Sequence, residues 1–134
     1  MSGRYDQAEL LAALWKLGAG DDMMPTSHGI LDRALETLKS DLPVELSELT
    51  FSTTSVGRRC YELPDILLAA QEAMLTSEPN PTYLSTVVTL SPEQARELAV
   101  IHGVGIRKAS EIGRRLADRV VALQNATEQR AAAA

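Results

Sequence analysis

The residues best suited to bind a ligand lie in a short stretch built on two glycines. Gly103 and Gly105 flank Val104, and the basic pair Arg107 and Lys108 follows almost at once. Glycine permits positive φ and leaves no side chain between the backbone and a ligand. The N–H groups that open the following helix are unpaired and have the positive end of the helix dipole behind them. Since cations in a first helical turn oppose that dipole, Arg107 and Lys108 indicate a bound anion, such as a phosphate oxygen.

Apolar residues occur at regular positions on both sides of these glycines. Leu98 and Ile101 precede them, and Ala109, Ile112 and Leu116 follow. Residues 98–116 therefore resemble a helix-hairpin-helix element, in which two short helices flank a Gly-hydrophobic-Gly hairpin. The resemblance implies sequence-independent contact with the DNA backbone through hairpin amides and a nearby basic side chain. The predicted nucleic-acid-binding residues are Gly103, Gly105, Arg107, Lys108, Arg114 and Arg115.

Two other interpretations of this stretch stay open. A Gly-x-Gly between amphipathic helices is a common way to turn the chain, so a plain helical hairpin also fits. The spacing of Leu98, Ala99, Gly103, Val104 and Ile112 fits a helix-turn-helix as well. Its recognition helix would begin near Ile106 and would present Arg107, Lys108, Ser110 and Glu111 to a major groove.

A second nucleic-acid candidate lies at residues 46–61. Thr53 or Thr54 could cap a short recognition helix that carries Arg58 and Arg59. The alternative is a polar hairpin or loop with two solvated arginines. The same stretch belongs to a longer segment, residues 43–62, whose composition permits either a strand or a helix.

The charge is distributed unevenly along the 134 residues. The whole chain has a net charge of −5. Residues 1–90 carry six basic and thirteen acidic side chains, a net −7, and residues 91–134 carry seven and five, a net +2. Residues 106–119 alone carry five basic and two acidic side chains, a net +3. Positive charge is therefore concentrated at the glycine stretch, which permits a DNA role that the total charge would argue against.

The acidic first 90 residues favour a second class of function. Acidic surfaces repel DNA and suit basic or amphipathic protein partners. The alternative function is therefore a protein-interaction module, such as an adaptor, chaperone or assembly subunit, with no nucleic-acid role. The apolar stripe of the last helix, which continues to Leu123, could also pair with a second copy of the chain. We expect a protein partner even if DNA is bound.

The remaining chemically active residues do not form a catalytic or metal-binding pattern. The two histidines, His28 and His102, are not in a metal-ligand spacing, and the first is expected to be a surface residue. Cys60 is expected to be a half-buried structural thiol, and the pair Asp21-Asp22 a solvated turn. Trp15 and the pair at residues 23–24 are expected to pack in the core or in an interface. We expect a non-enzymatic protein with no catalytic residue, no metal and no cofactor.

The elements that must position the glycine stretch are mostly helical. Hydrophobic periodicity and stop and start signals predict helices at residues 5–17, from 25–27 to about 39, 65–75, 92–101 and 106 to about 124. Gly18 and Gly20 are expected to end the first helix. A capping box formed by Ser91 and Gln94 starts the fourth. The best strand candidate is 83–90, after a loop at 77–82.

The predicted fold class is mainly α with a small β element, a compact helical domain that ends in a helical hairpin. An acidic helical body at 1–80 is expected to pack as one domain with the unit at 81–125, followed by a frayed tail at 126–134. No apolar run is long enough to cross a membrane and the first residues lack a secretory signal, so a cytoplasmic location without membrane contact is expected.

Overall fold

The computed structural model describes residues 3–27, 29–78 and 84–133. The helices in these ranges are α1 (Arg4–Gly18), α2 (Ile30–Thr37), α3 (Val44–Ser47), α4 (Leu63–Glu72), α5 (Pro92–Ile101) and α6 (Ile106–Ala133). The strands are β1 (Met23–Pro25), β2 (Phe51–Thr54), β3 (Gly57–Cys60), β4 (Thr76–Ser77) and β5 (Ser85–Val88). The prediction of a mainly α fold with a small β element is confirmed.

Helix α1 lies at the centre of the fold. Its sequence is rich in strong helix formers, and Leu10, Leu11 and Leu14 are fully buried. It packs against α4, α5 and α6. Even its polar residue Gln7 is buried, and the Gln7 side-chain amide donates a hydrogen bond to the carbonyl oxygen of Glu45 (3.0 Å). A helix buried on nearly every side must be enclosed by other elements, so α1 is the support on which α5 and α6 are placed.

Helices α1 and α6 make backbone contact where Gly18 faces Gly113. A Cβ added at residue 18 would overlap the backbone of Gly113 and Arg114, and one added at residue 113 would overlap the carbonyl oxygen of Leu14. Gly18 is thus both the last residue of α1, as predicted, and a packing contact. A glycine inside a helix costs about 1 kcal/mol relative to alanine. The close approach of the two helices explains why Gly113 stands there.

Two small antiparallel sheets complete the fold. The first has the strand order β1-β5-β4, with Met24 opposite Thr86 and Thr76 opposite Val88. Because β1 lies in the N-terminal part of the chain and β5 in the C-terminal part, this sheet joins the predicted acidic body to the predicted C-terminal unit. The second sheet is the hairpin of β2 and β3, with Phe51 opposite Cys60.

The ambiguous segment 43–62 forms both kinds of structure. It contains the four-residue helix α3 and then the β2–β3 hairpin, whose turn at residues 55–56 is followed by Gly57 at a φ of +108°. The interpretation of this region as a recognition helix is therefore wrong. Thr53 lies in β2 and faces Arg58 in β3, because β-branched and polar residues around a glycine turn favour a hairpin over a helix. The alternative, a polar hairpin, is the observed structure, but its two arginines are half-buried and ion-paired instead of solvated.

Some boundaries differ from the predicted ones because strand pairing and packing set them. The second helix begins at Ile30, after Gly29 in the left-handed region, and not at residues 25–27, where Pro25 pairs with Ser85 in the sheet. It ends at Thr37 and is followed by a short 3-10 turn at Lys39–Asp41. Helix α4 spans Leu63–Glu72 where 65–75 was predicted.

The C-terminal elements are close to the predicted ones. Helix α5 has the predicted bounds, and α6 starts at the predicted residue but continues to Ala133. The predicted tail, 126–134, is thus helical as far as residue 133. Strand β5 covers the centre of the predicted strand 83–90, whose first residue, Tyr83, lies outside the described residues. The same is true of His28 and of residues 79–82 in the predicted loop. In the described ranges, no helix has the length and apolar character needed to cross a membrane.

Candidate nucleic-acid interface

The turn between α5 and α6 has the geometry that two glycines require. Gly103 has a φ of +75° and Gly105 a φ of +85°, a region that other residues adopt only with strain. Gly103 N–H donates to Val100 O (3.0 Å), and Val104 N–H donates to Ala99 O (3.0 Å). These two bonds form a Schellman motif, which satisfies the last carbonyls of α5. The chain thus reverses within four residues.

Apolar contacts fix this hairpin to the rest of the protein. Val104 and Leu98 are partly buried and pack against the core, and Ala99, Ala109 and Ile112 are fully buried. Four of the five predicted apolar positions therefore face the core: Leu98, Ala109, Ile112 and Leu116. The fifth, Ile101, does not, because its side chain is exposed to solvent. These contacts with the core fix the position of the turn, and the backbone of Gly103 stays exposed to solvent.

The two helices of the hairpin begin in different ways. In α5 the Ser91 hydroxyl accepts the Gln94 N–H (3.1 Å) and the Gln94 side chain accepts the Ser91 N–H (3.0 Å), a complete capping box. In α6 the residue before the helix is Gly105, which has no side chain to act as a cap. The first helical bond runs from Ala109 N–H to Gly105 O (3.0 Å). The amides of residues 106–108 therefore have no helical acceptor and are available to an anion.

The predicted basic residues lie in two groups along α6. Arg107 and Lys108 occupy its first turn, and the Arg107 side chain is 95% exposed, with Glu111 3.6 Å away. A pair this exposed contributes little, so the Arg107 guanidinium is free to meet an external anion. Arg114 and Arg115 lie about 10 Å further along the helix. Arg114 is exposed, but Arg115 is paired with Asp41 (3.2 Å) and so is partly neutralised.

An acidic group lies beneath the hairpin on α1. His102 Nε2 is 3.1 Å from Glu9 Oε1, and the His102 side chain is only 6% exposed. Asp6 completes a set whose potential ligand atoms all lie within 4.8 Å of one another. Of the residues the structure describes, these three are the ones that could hold a divalent metal. The contact between Glu9 on α1 and His102 at the end of α5 connects the hairpin to the central helix.

Exposed apolar side chains surround the same turn. Ile101 is 71% exposed, and Val100 and Ile106 are also exposed. These three residues, here called the apolar rim, lie immediately before and after the glycines. The hairpin therefore combines free amides, two cations and the apolar rim on one part of the surface.

Comparisons with protein families, curated proteins and solved structures found no match. The assignment of the site therefore depends on its geometry and on its sequence pattern.

The other chemically active residues lie in the core or in an exposed turn. Cys60 is buried, and burial raises its pKa to about 11, so the thiol is protonated at neutral pH. Trp15 is in the core, and its indole N–H donates to Asp21 O (2.9 Å). Asp21 and Asp22 are exposed turn residues, the latter paired with Lys16 at 2.6 Å. Met24 is buried and Met23 is exposed.

Sequence reasoning did not identify the contact between Glu9 and His102. The two residues are 93 positions apart, and neither belongs to a recognisable ligand spacing. A weak signal was present, because His102 stands directly before the first glycine of the hairpin. Only the packing of α5 on α1 brings the two side chains together.

Proposed function

We propose that this protein is a non-enzymatic nucleic-acid-binding protein that contacts the phosphate backbone of DNA through the α5–α6 hairpin. The observation that carries the proposal is the coincidence of three features at the start of α6. The helix begins without a side-chain cap, its free amides follow a glycine turn, and Arg107 and Lys108 project from the same turn. Free amides and cations at a helix start bind a phosphate oxygen without reading a base.

The proposed binding is weak and independent of sequence. The N-terminal 90 residues carry a net −7, which opposes approach to a polyanion over most of the surface. The acidic residues Asp6 and Glu9 beneath the hairpin and Glu111 beside it reduce the local positive potential. A small number of phosphate contacts therefore carries the affinity.

Charge reversal at the hairpin tests this proposal. The double variant R107E/K108E places two negative charges beside the free amides, so we expect it to lose binding to a fluorescent random-sequence duplex at low salt. Fluorescence anisotropy gives the affinity, and circular dichroism checks that the helix content is unchanged. A parent-like affinity in this variant would exclude the hairpin as the binding site.

The control is R96E/R119E, which makes the same change in net charge on the two helices of the hairpin but away from the turn. Both arginines are exposed. Arg119 lies about 20 Å along α6 from its first residue. We expect this control to weaken binding only slightly, through the total charge. An equal loss in both double variants would indicate a general charge effect instead of a site.

A second candidate function is a protein-interaction module, and the apolar rim favours it. Exposed Val100, Ile101 and Ile106 provide apolar area that a protein partner could cover, close to charged residues that could give specificity. The variant I101S separates the two functions, because it reduces the apolar area without changing the charge. If I101S loses a self-association that light scattering detects in the parent and retains its DNA affinity, the result would support this second candidate. An unchanged monomeric mass in the parent and in I101S would count against pairing of two copies through the rim.

A further inference from the structure

A cleft of about 760 Å³ opens between α4 and the three-stranded sheet. Its apolar wall comes from α4 and includes Leu63, Leu67 and Leu68. Its polar wall includes Thr76 and Ser77 of β4 and Thr86 of β5. A volume between about 300 and 1,000 Å³, with apolar walls and a few polar groups, is typical of small-molecule sites. None of these residues belongs to the α5–α6 hairpin.

Arg59 is the only cation among the cleft-lining residues that the structure describes. Its neighbour Arg58, also on β3, has a guanidinium that is paired by hydrogen bonds to a carboxylate. Arg58 donates from Nε to both Glu36 carboxylate oxygens (3.1 and 3.0 Å) and from Nη2 to one of them (2.7 Å). Both arginines are on the same strand, so their difference comes from their surroundings.

Among the described residues, the guanidinium of Arg59 has no partner at hydrogen-bonding distance of this kind. Its Nε lies 3.7 Å from Asp32 Oδ2, which already accepts the Cys60 N–H at 2.7 Å. Arg59 Nη1 is buried, and it is the one buried side-chain nitrogen or oxygen in the described chain that lacks a hydrogen-bond partner. A buried unsatisfied donor is costly, most of all on a charged group, and such a group calls for an explanation.

We propose that the cleft binds a small apolar carboxylic acid, with its carboxylate on the Arg59 guanidinium and its hydrocarbon chain against the leucines of α4. The planar guanidinium matches a carboxylate through two parallel N–H···O bonds. Arg59 is among the residues that line the cleft, so a carboxylate bound there meets its guanidinium. The ligand then supplies the partner that Asp32 does not.

Two carboxylates restrict the charge of the ligand. Asp32 lies beside Arg59, and Glu78 lines the cleft, where its Oε2 is 3.4 Å from the Gln71 side-chain amide. A phosphate monoester carries close to two negative charges at neutral pH and would be repelled more strongly than a monoanion. The cleft therefore favours a carboxylate over a phosphate.

The test is a titration of the full chain with decanoate, followed by two-dimensional proton–nitrogen NMR. We expect saturable shifts at the Arg59 side-chain Nε–H and at backbone amides of α4, with a Kd below about 1 mM. Decanol lacks the charge and acetate lacks the chain, so each is expected to bind about tenfold more weakly or worse. The absence of saturable shifts with decanoate would overturn the proposal.

Two variants locate the site. R59Q removes the guanidinium, and L68E places a carboxylate on an exposed position of the cleft wall, where it does not disturb the core. Each is expected to weaken decanoate binding by about tenfold or more. The control R58Q changes the neighbouring arginine on the same strand and is expected to leave the affinity unchanged. R59Q removes the cation that lies beside the buried Asp32 carboxylate. If R59Q does not fold for this reason, L68E still tests the site.

Parent-like decanoate affinity in L68E, or an equal loss in R58Q, would contradict the assignment. The outcome is independent of the hairpin, because the cleft and the α5–α6 turn share no residue. Failure here would leave the proposed DNA contact standing, and failure of the DNA test would leave the cleft.

Discussion

Gly103 and Gly105 have different roles in the turn, although both have positive φ. Gly103 completes the Schellman motif that ends α5, so it satisfies backbone groups. Gly105 precedes α6 and offers no cap, so it leaves backbone groups unsatisfied. Among the described residues, no atom beyond the chain neighbours would contact a Cβ at either position, and the requirement for glycine is therefore conformational. Gly103 thus ends α5, and Gly105 leaves the first amides of α6 free to bind a ligand.

Substitution of Gly105 by alanine tests this conformational requirement. We expect G105A to be destabilised by about 1–2 kcal/mol, because alanine at a φ of +85° is strained while space for its methyl group is available. G105N is expected to lose less, since asparagine tolerates the left-handed region. Urea denaturation measures both values. An alanine variant as stable as the parent would show that the turn adopts another conformation in solution.

The elements of this fold are positioned by the contact between α1 and α6. Backbone approaches backbone at Gly18 and Gly113, and this fixes where the start of α6 lies relative to the central helix. The Glu9–His102 contact adds a second connection, from α1 to the end of α5. Together these contacts hold both ends of the candidate site on one support.

The contact between α1 and α6 predicts an unusual effect of an alanine substitution. In an exposed helix, glycine to alanine gains about 1 kcal/mol from helix propensity. At Gly113 the added methyl group would overlap the carbonyl oxygen of Leu14, and neither backbone can move without displacing a helix. Overpacking costs about 1–3 kcal/mol or more, so the steric cost exceeds the gain.

We therefore expect G113A to be less stable than the parent. Thermal denaturation of the variant and the parent under identical conditions measures the difference. A stabilised G113A would mean that α1 and α6 do not approach each other closely at Gly18 and Gly113.

The position of an element could be predicted from the sequence where residues close together in the chain determine it. The serine, proline and glutamine at the start of α5 define that helix to the residue, and the apolar spacing of residues 98–116 locates the turn. Strand β1 was missed because Met23, Met24 and Pro25 show no alternation, and the strand exists only through its pairing with β5. The cleft was also missed, since Arg59 and Leu68 come together through the packing of separate elements. What depends on long-range contacts could not be obtained from one sequence.

At the scale of the whole molecule, charge is separated into an acidic body and a basic turn. Parts of the acidic body are internally compensated. The hydrogen bond from Arg58 lowers the pKa of Glu36. Burial raises the pKa of Glu62, but hydrogen bonds from Thr50 and Cys60 together outweigh it, and its pKa is lowered as well. These carboxylates stabilise the fold in their charged form.

This compensation predicts a loss of stability in acid. Because the folded-state pKa values of Glu36 and Glu62 lie below the ordinary value of 4.5, their contribution is present above that pH and is lost as the pH falls through the folded values. We expect the urea midpoint to fall steadily below about pH 4.5. E36Q is expected to show a shallower fall, since it no longer has that charge to lose. A midpoint independent of pH across the acidic range would contradict this account of the two carboxylates.

The central claim is that Arg107 and Lys108 neutralise phosphates at the start of α6. The most direct measurement is the affinity for a random-sequence duplex as a function of salt. Release of counterions from two phosphates predicts a slope of about −2 in a plot of log affinity against log salt concentration. We expect R107E/K108E to retain no affinity from which a slope can be measured, and R96E/R119E to keep a slope near −2. A parent with no measurable affinity at low salt, or a slope that R107E/K108E leaves unchanged, would contradict the claim.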